Sequence, residues 1–296
     1  LEAAKSNKNF VCITAAMEIG TGLKDFANKY RNRIIDVGIA ENHAVTYGSG
    51  YASDGILPVI AIYSTFIQRA YDNILHDFLL QDLPFILCLD RSGLVGADGP
   101  THHGLYDINM FISMPNIVIS APKDGNELRS LFQLALDTRK PFVIRYPKGD
   151  SINFDKNYKE DVNLEIGKWE ILKKGSNWAI LAVGSMVDIV IKNYSLIEQK
   201  LGYSPTVVNS RFVKPIDENM LNSLSEEYKG IVTIEEGMKT GGFGSFILSY
   251  LNNHNYNGKV KILGIEDSFV DQGTRAELLN ECGLSVENII NSIENG

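Results

Sequence analysis

The densest set of reactive side chains lies in Asp90-Arg91-Ser92-Gly93-Leu94-Val95-Gly96-Ala97-Asp98-Gly99-Pro100-Thr101-His102-His103-Gly104, where two acids, an arginine, two histidines and four glycines follow an apolar run. A loop this polar and glycine-rich after a buried strand is a usual place for function. Adjacent His102 and His103 cannot easily point at one ion, and the spacing matches no zinc pattern, so no metal ligands are assigned. Contacts to a polar substrate fit better, since imidazole donates hydrogen bonds or protons near neutral pH.

Glu41 is the second candidate. It opens a predicted helix whose small residues Ala40, Ala44, Gly48 and Ala52, each four apart, share a face that another element can approach closely. Two readings stay open at this point: an acid capping the first turn, where the helix dipole favours negative charge, or a carboxylate desolvated in a cleft and able to share a proton. The third candidate is the turn after Ile62-Tyr63, where Phe66, Arg69 and Asn73 share one face and Ile67, Ala70, Tyr71, Ile74 and Phe78 form a core stripe. An aromatic and a guanidinium there could stack a ring and hold an anion; alternatively Phe66 is core and Arg69 a solvated charge. Gly241-Gly242-Phe243-Gly244 lacks both the dinucleotide and the P-loop signatures and reads as a turn or interface element.

The elements that must position these residues alternate between short apolar runs and amphipathic stretches, the pattern of a parallel sheet with crossover helices. Strands are expected at Phe10–Thr14, Ile34–Val37, Pro58–Tyr63, Phe85–Asp90, Ile117–Ala121 and Phe142–Arg145, with helices near Gly20–Tyr30, Ala40–Ser53, Phe66–Leu80 and Asp124–Thr138. A polar stretch, Ser151 to Asn163, reads as a linker. A second series follows at Trp178–Val183, Thr206–Val208, Ile231–Glu235 and Lys259–Ile265. The fold class is therefore α/β, with two domains, each a mostly parallel sheet flanked by helices.

Composition narrows the function classes. With 28 Lys+Arg against 36 Asp+Glu, the net charge of −8 lacks the basic footprint a nucleic-acid partner requires. No apolar run approaches the roughly 18 residues of a membrane span, so no membrane partner is expected. Cys12, Cys88 and Cys282 are far apart and read as reduced thiols of a cytoplasmic protein. The start, Leu1-Glu2-Ala3-Ala4, reads as the middle of a helix, so a fragment is expected.

Several segments together resemble the 1-deoxy-D-xylulose-5-phosphate synthases, transketolase-like enzymes that use thiamine diphosphate. They are Ile13-Thr14-Ala15-Ala16-Met17, Asp36-Val37-Gly38-Ile39-Ala40-Glu41-Asn42-His43-Ala44-Val45-Thr46, Ala61-Ile62-Tyr63-Ser64-Thr65-Phe66-Ile67-Gln68-Arg69-Ala70-Tyr71-Asp72, the loop from Asp90 to Gly104, Arg145-Tyr146-Pro147-Lys148-Gly149 and Arg211-Phe212-Val213-Lys214-Pro215. The resemblance implies a pyrimidine-binding domain over 1–147, a linker over 148–168 and a transketolase C-terminal-like domain over 169–296. It implies that Mg²⁺ and the cofactor's diphosphate are held by an N-terminal domain not contained in this sequence, so this chain would not turn over alone. Glu41 would hydrogen-bond the ring nitrogen of the aminopyrimidine and Phe66 would stack on that ring. Tyr63, Arg69, Arg91 and Lys148 would receive the phosphorylated acceptor, while Asp98 and His102 would contact substrate hydroxyls and the reacting centre. The implied reaction condenses pyruvate with glyceraldehyde 3-phosphate, releasing CO₂ and forming a precursor of isoprenoids, thiamine and pyridoxal. A homodimer is implied. Lys148 departs from the arginine frequent in the family, keeping charge but losing bidentate phosphate recognition.

Two competing readings remain. One is the β-subunit-type half of a split 2-oxo-acid dehydrogenase or a split transketolase; Gln68-Arg69-Ala70-Tyr71-Asp72 and Gly96-Ala97-Asp98-Gly99 favour the synthase. The other is a non-enzymatic assembly module that retains the fold.

Overall fold

The computed structural model describes residues 1–150, 155 and 164–296. The stretch read as a linker, 151–163, lies outside the described residues apart from Asp155. In the first half, apolar runs form β1 (Phe10–Thr14), β2 (Ile34–Asp36), β3 (Leu57–Tyr63), β4 (Phe85–Asp90), β5 (Val118–Ser120) and β6 (Pro141–Arg145). In the second half lie β7 (Glu170–Lys173), β8 (Trp178–Ala182), β9 (Thr206–Asn209), β10 (Phe212–Lys214), β11 (Gly230–Met238) and β12 (Lys259–Ile265).

Two sheets result, in the orders β10-β5-β6-β4-β3-β1-β2 and β12-β11-β8-β9-β7. Pairing is parallel except for β10 against β5 and β7 against β9. Both antiparallel strands go beyond the expected set. β10 comes from the second half of the chain yet completes the first sheet, so a sheet edge crosses the boundary that composition suggests. The register aligns Thr14 with Ala61, Tyr63 with Asp90 and Leu89 with Arg145, which brings the carboxyl ends of β1, β3, β4 and β6 to one rim. Ligands of open α/β sheets bind beyond such a rim.

Strands β1, β4, β6 and β8 are buried throughout, as largely apolar runs covered on both faces should be, and β11 is buried throughout despite carrying Glu235 and Glu236. One core cluster takes in residues of both halves, including Ile13, Phe78 and Phe142 with Leu181, Phe212 and Phe243; a second, around Ile180, Val232 and Ile289, fills the far side of the second sheet. Cys12 and Cys88 are buried, and burial pushes both thiols up to about 12, so neither is a reactive thiolate.

The stretch expected as one helix over Phe66–Leu80 changes winding: a 3₁₀ turn at Phe66–Ala70, an α turn at Tyr71–Asn73 and a π-helix at Ile74–Leu79. This winding keeps Ile67, Ala70, Ile74 and Phe78 in the core but leaves Tyr71, expected there, exposed.

Candidate active site

Glu41 is the first residue of the helix Glu41–Ser53. The seam of small residues draws this helix onto the sheet: Ala44, Gly48 and Ala52 are buried, and a Cβ on Gly48 would stand 3.1 Å from Ile60 Cδ1 and 3.4 Å from Ile13 Cδ1. The close approach carries Glu41 below the surface, where it is 3% exposed. A buried carboxylate needs a partner, and Arg69 Nη1 supplies one at 2.6 Å. The arginine itself is 56% exposed, so it closes over the acid from the solvent side.

The remaining expected residues gather around this pair. The Phe66 ring stacks on Tyr63 at 5.7 Å, meets His102 edge-on at 5.4 Å and lies 5.2 Å from the Arg69 guanidinium. Arg91 covers the other side of Tyr63 at 4.0 Å, donates to Gly20 O at 2.5 Å and pairs with Asp90 at 2.9 Å. Lys148 reaches back from the turn after β6 to Asp98, 2.5 Å away. The Lys148 ammonium, with smaller help from His102 and Arg91, holds the Asp98 carboxyl below the usual range. Glu41, Tyr63, Phe66, Arg69, Arg91, Asp98, His102 and Lys148 therefore stand at one rim, although they come from four separate segments.

His103 does something else. It is buried, its Nδ1 accepts from the Val95 N–H at 3.1 Å, and its Nε2 is left to donate to Asp271 O at 3.1 Å. Both ring nitrogens are thus engaged in tying the loop to the second half of the chain. Among the described residues no group of three or more His, Cys, Asp or Glu is placed to hold a metal ion, and no helix is long and apolar enough to cross a membrane.

Sequence reasoning missed the support beneath the site. Asp107, 2% exposed, accepts from Ser64 Oγ at 3.0 Å, Ser92 Oγ at 2.7 Å and Arg145 Nε at 3.0 Å. It pins the turn bearing Tyr63 and Phe66 to the loop bearing Arg91. In the sequence, Asp107 is an acid opening a helix, indistinguishable from a cap; its identity lies in an arginine 38 residues away. Gly241-Gly242-Phe243-Gly244 is filled from within, because Glu235 accepts from the Phe243 and Gly244 N–H groups at 2.9 and 2.8 Å. No phosphate is needed there.

Comparison with known proteins identifies the family of the chain. The family descriptions "Transketolase, pyrimidine binding domain" and "Transketolase, C-terminal domain" match residues 1–152 and 167–289. A 1-deoxy-D-xylulose-5-phosphate synthase of Syntrophus aciditrophicus (strain SB) is 47% identical over 98% of this chain and 44% of its own length. One from Clostridium perfringens (strain SM101 / Type A) is 44% identical over 99% of this chain and 47% of its own length. The chain thus spans about half the length of the curated relatives it matches. A split-gene transketolase, solved as an inactive β4 tetramer, superposes with a TM-score of 0.86 at 24% identity, over 99% of this chain and 93% of that one, which establishes likeness of fold. The chain belongs to the transketolase family, of which it carries the pyrimidine-binding and C-terminal domains.

Proposed function

We propose that this chain is the part of a 1-deoxy-D-xylulose-5-phosphate synthase that binds the pyrimidine end of thiamine diphosphate and receives both substrates. The observation that carries the reading is a buried carboxylate and an aromatic face bridged by one arginine: Arg69 pairs with Glu41 at 2.6 Å and lies 5.2 Å from the Phe66 ring. A carboxyl group facing a ring nitrogen and a stacking surface are the donor set an aminopyrimidine needs, so the residues fit the cofactor. When bound, thiamine diphosphate supplies the carbanion chemistry.

The chain's own residues perform the rest. The Glu41 carboxyl would hydrogen-bond the pyrimidine ring nitrogen, held below the surface by the packed seam of its helix. Arg69 lies mostly in solvent and can swing from Glu41 toward the acceptor only as a cofactor group takes its place on the buried acid, since a buried carboxylate left alone is costly. Arg69, Arg91, Tyr63 and Lys148 present positive charge and a hydroxyl to the phosphate of glyceraldehyde 3-phosphate. Asp98, kept ionised by Lys148, and His102 orient substrate hydroxyls. The overall change takes pyruvate and glyceraldehyde 3-phosphate to 1-deoxy-D-xylulose 5-phosphate and CO₂. Mg²⁺ and the diphosphate belong, in this reading, to a further domain of the complete enzyme, without which the chain is inactive. The setting is the cytoplasm and the pathways are those of isoprenoid, thiamine and pyridoxal precursors. A homodimer is supported by the exposed Ile39 and Leu80 and by the aromatic file His43, Tyr47 and Tyr51 on the outer face of the Glu41 helix.

The test supplies the complete enzyme with the cofactor, Mg²⁺, pyruvate labelled with ¹³C at C2, and glyceraldehyde 3-phosphate. A pentulose phosphate carrying the label at C2 is expected, from a preparation that sediments as a dimer. Label appearing only in an acyl-lipoyl group, or turnover only with a ketose phosphate donor, would instead identify the split-subunit alternatives.

A further inference from the structure

The second domain contributes none of the eight side chains at the rim, yet it holds the loop that carries three of them. Four points of the 91–104 loop rest on it. A Cβ on Gly93 would overlap the Glu236 carboxylate, and Gly93 adopts φ +80°, so only glycine fits between the loop and that side chain. A Cβ on Gly96 would lie 3.3 Å from Gly273 O, and one on Gly99 the same distance from Gln272 Cβ. His103 reaches Asp271 O as described. Leu94 and Leu105 complete the contact by joining the core cluster of the second sheet.

Glu236 is the centre of this clasp. It is 2% exposed near the end of β11, its carboxylate ion-paired with Arg275 and accepting from Ser185 Oγ at 3.2 Å. Its backbone carbonyl accepts from Arg145 Nη2 at 2.9 Å, and Arg145 in turn holds Asp107 under the site. The loop is closed on itself just above, by Gly93 N–H to Gly104 O at 2.7 Å and Gly104 N–H to Gly93 O at 2.9 Å.

We infer that Glu236 is a positioning residue for the acceptor: clamped by Arg275, it is the strut that fixes the height of the Gly93–Gly104 hairpin and hence the placement of Arg91, Asp98 and His102. This inference rests on the reading of those three residues as the acceptor's. A fixed strut of this kind acts on binding and orientation of the acceptor, leaving the pyruvate side untouched.

Two readouts separate the clasp from the reading it rests on. Backbone amide exchange is compared between the parent, Glu236→Ala and Glu236→Gln. The alanine variant is expected to speed exchange of Gly93 and Gly104 by about tenfold or more while the β4 amides keep their protection, and glutamine, which preserves the strut's volume, restores most of it. In the complete enzyme the same alanine change should raise KM for glyceraldehyde 3-phosphate by about tenfold, with kcat and the pyruvate KM within about twofold. If Glu236→Ala does not fold, Arg275→Ala carries the same expectation. Unchanged loop exchange, or exchange that rises equally throughout the sheet, overturns the clasp whatever the kinetics. A loosened loop with an unchanged acceptor KM overturns the acceptor reading instead.

Discussion

At Glu41 and Arg69 the physics of burial decides the chemistry. A carboxylate brought under the surface by a small-residue seam must find a partner, and here the partner is an arginine lying mostly in solvent. The acid is therefore satisfied in the free chain, and any ligand that displaces the guanidinium must itself bond the carboxyl, because a buried charge left alone is costly. Lys148 shows a different compromise. Paired with Asp98 at 2.5 Å and 41% exposed on its side chain, it offers a point charge where a guanidinium could hold the carboxylate and a phosphate together. Lys148→Arg in the complete enzyme should lower KM for glyceraldehyde 3-phosphate by roughly threefold to tenfold, with kcat nearly unchanged. A KM that stays constant or rises would show that Lys148 serves Asp98 alone.

At the scale of elements, helix starts are where charge and burial compete. Glu235 caps the helix Phe243–Asn253 through both carboxyl oxygens, which favours the ionised form, yet burial pushes the group up from 4.5 to about 7. The folded chain then keeps a proton that the unfolded chain releases between those values, so this group makes stability fall as pH rises from 4.5 toward 7. Glu235→Gln, which cannot ionise, should flatten the change in urea midpoint between pH 5 and 7 relative to the parent; an identical pH slope would contradict the assignment. Which elements were legible follows from the same competition. Buried parallel strands such as Phe10–Thr14 and Phe85–Asp90 announce themselves as unbroken apolar runs, and their bounds agree with expectation. β7 did not, because it lies on a sheet edge with alternating burial and an exposed Ile171. β10 did not, because three residues carry no period and its partner lies on the other side of the linker. The winding change at Phe66–Leu79 is equally invisible: the apolar residues fit an α-helical stripe, and only the packing selects which of them go inward.

For the whole molecule, the two domains behave as one body because their contents interleave. A shared apolar core, β10 lying in the first sheet, and an ionic cluster join them; in that cluster the buried Arg211 meets the buried Glu127 at 2.8 Å and also pairs with the half-exposed Glu170. Residue types and the family resemblance brought eight rim residues to notice, since each sits in a polar or small-residue run beside an apolar strand. They could not reveal Asp107, Arg145 or Glu236, whose meaning lies in partners tens of residues away. The reading that remains central is that Glu41 works on a pyrimidine ring nitrogen at this rim. The most direct measurement is the rate of 1-deoxy-D-xylulose 5-phosphate formation by the complete enzyme and by its Glu41→Gln variant, at saturating cofactor and matched thermal stability. A loss of about a hundredfold or more with folding intact is predicted, in line with removal of a positioned acid–base group; a variant within a few-fold of the parent would contradict the account.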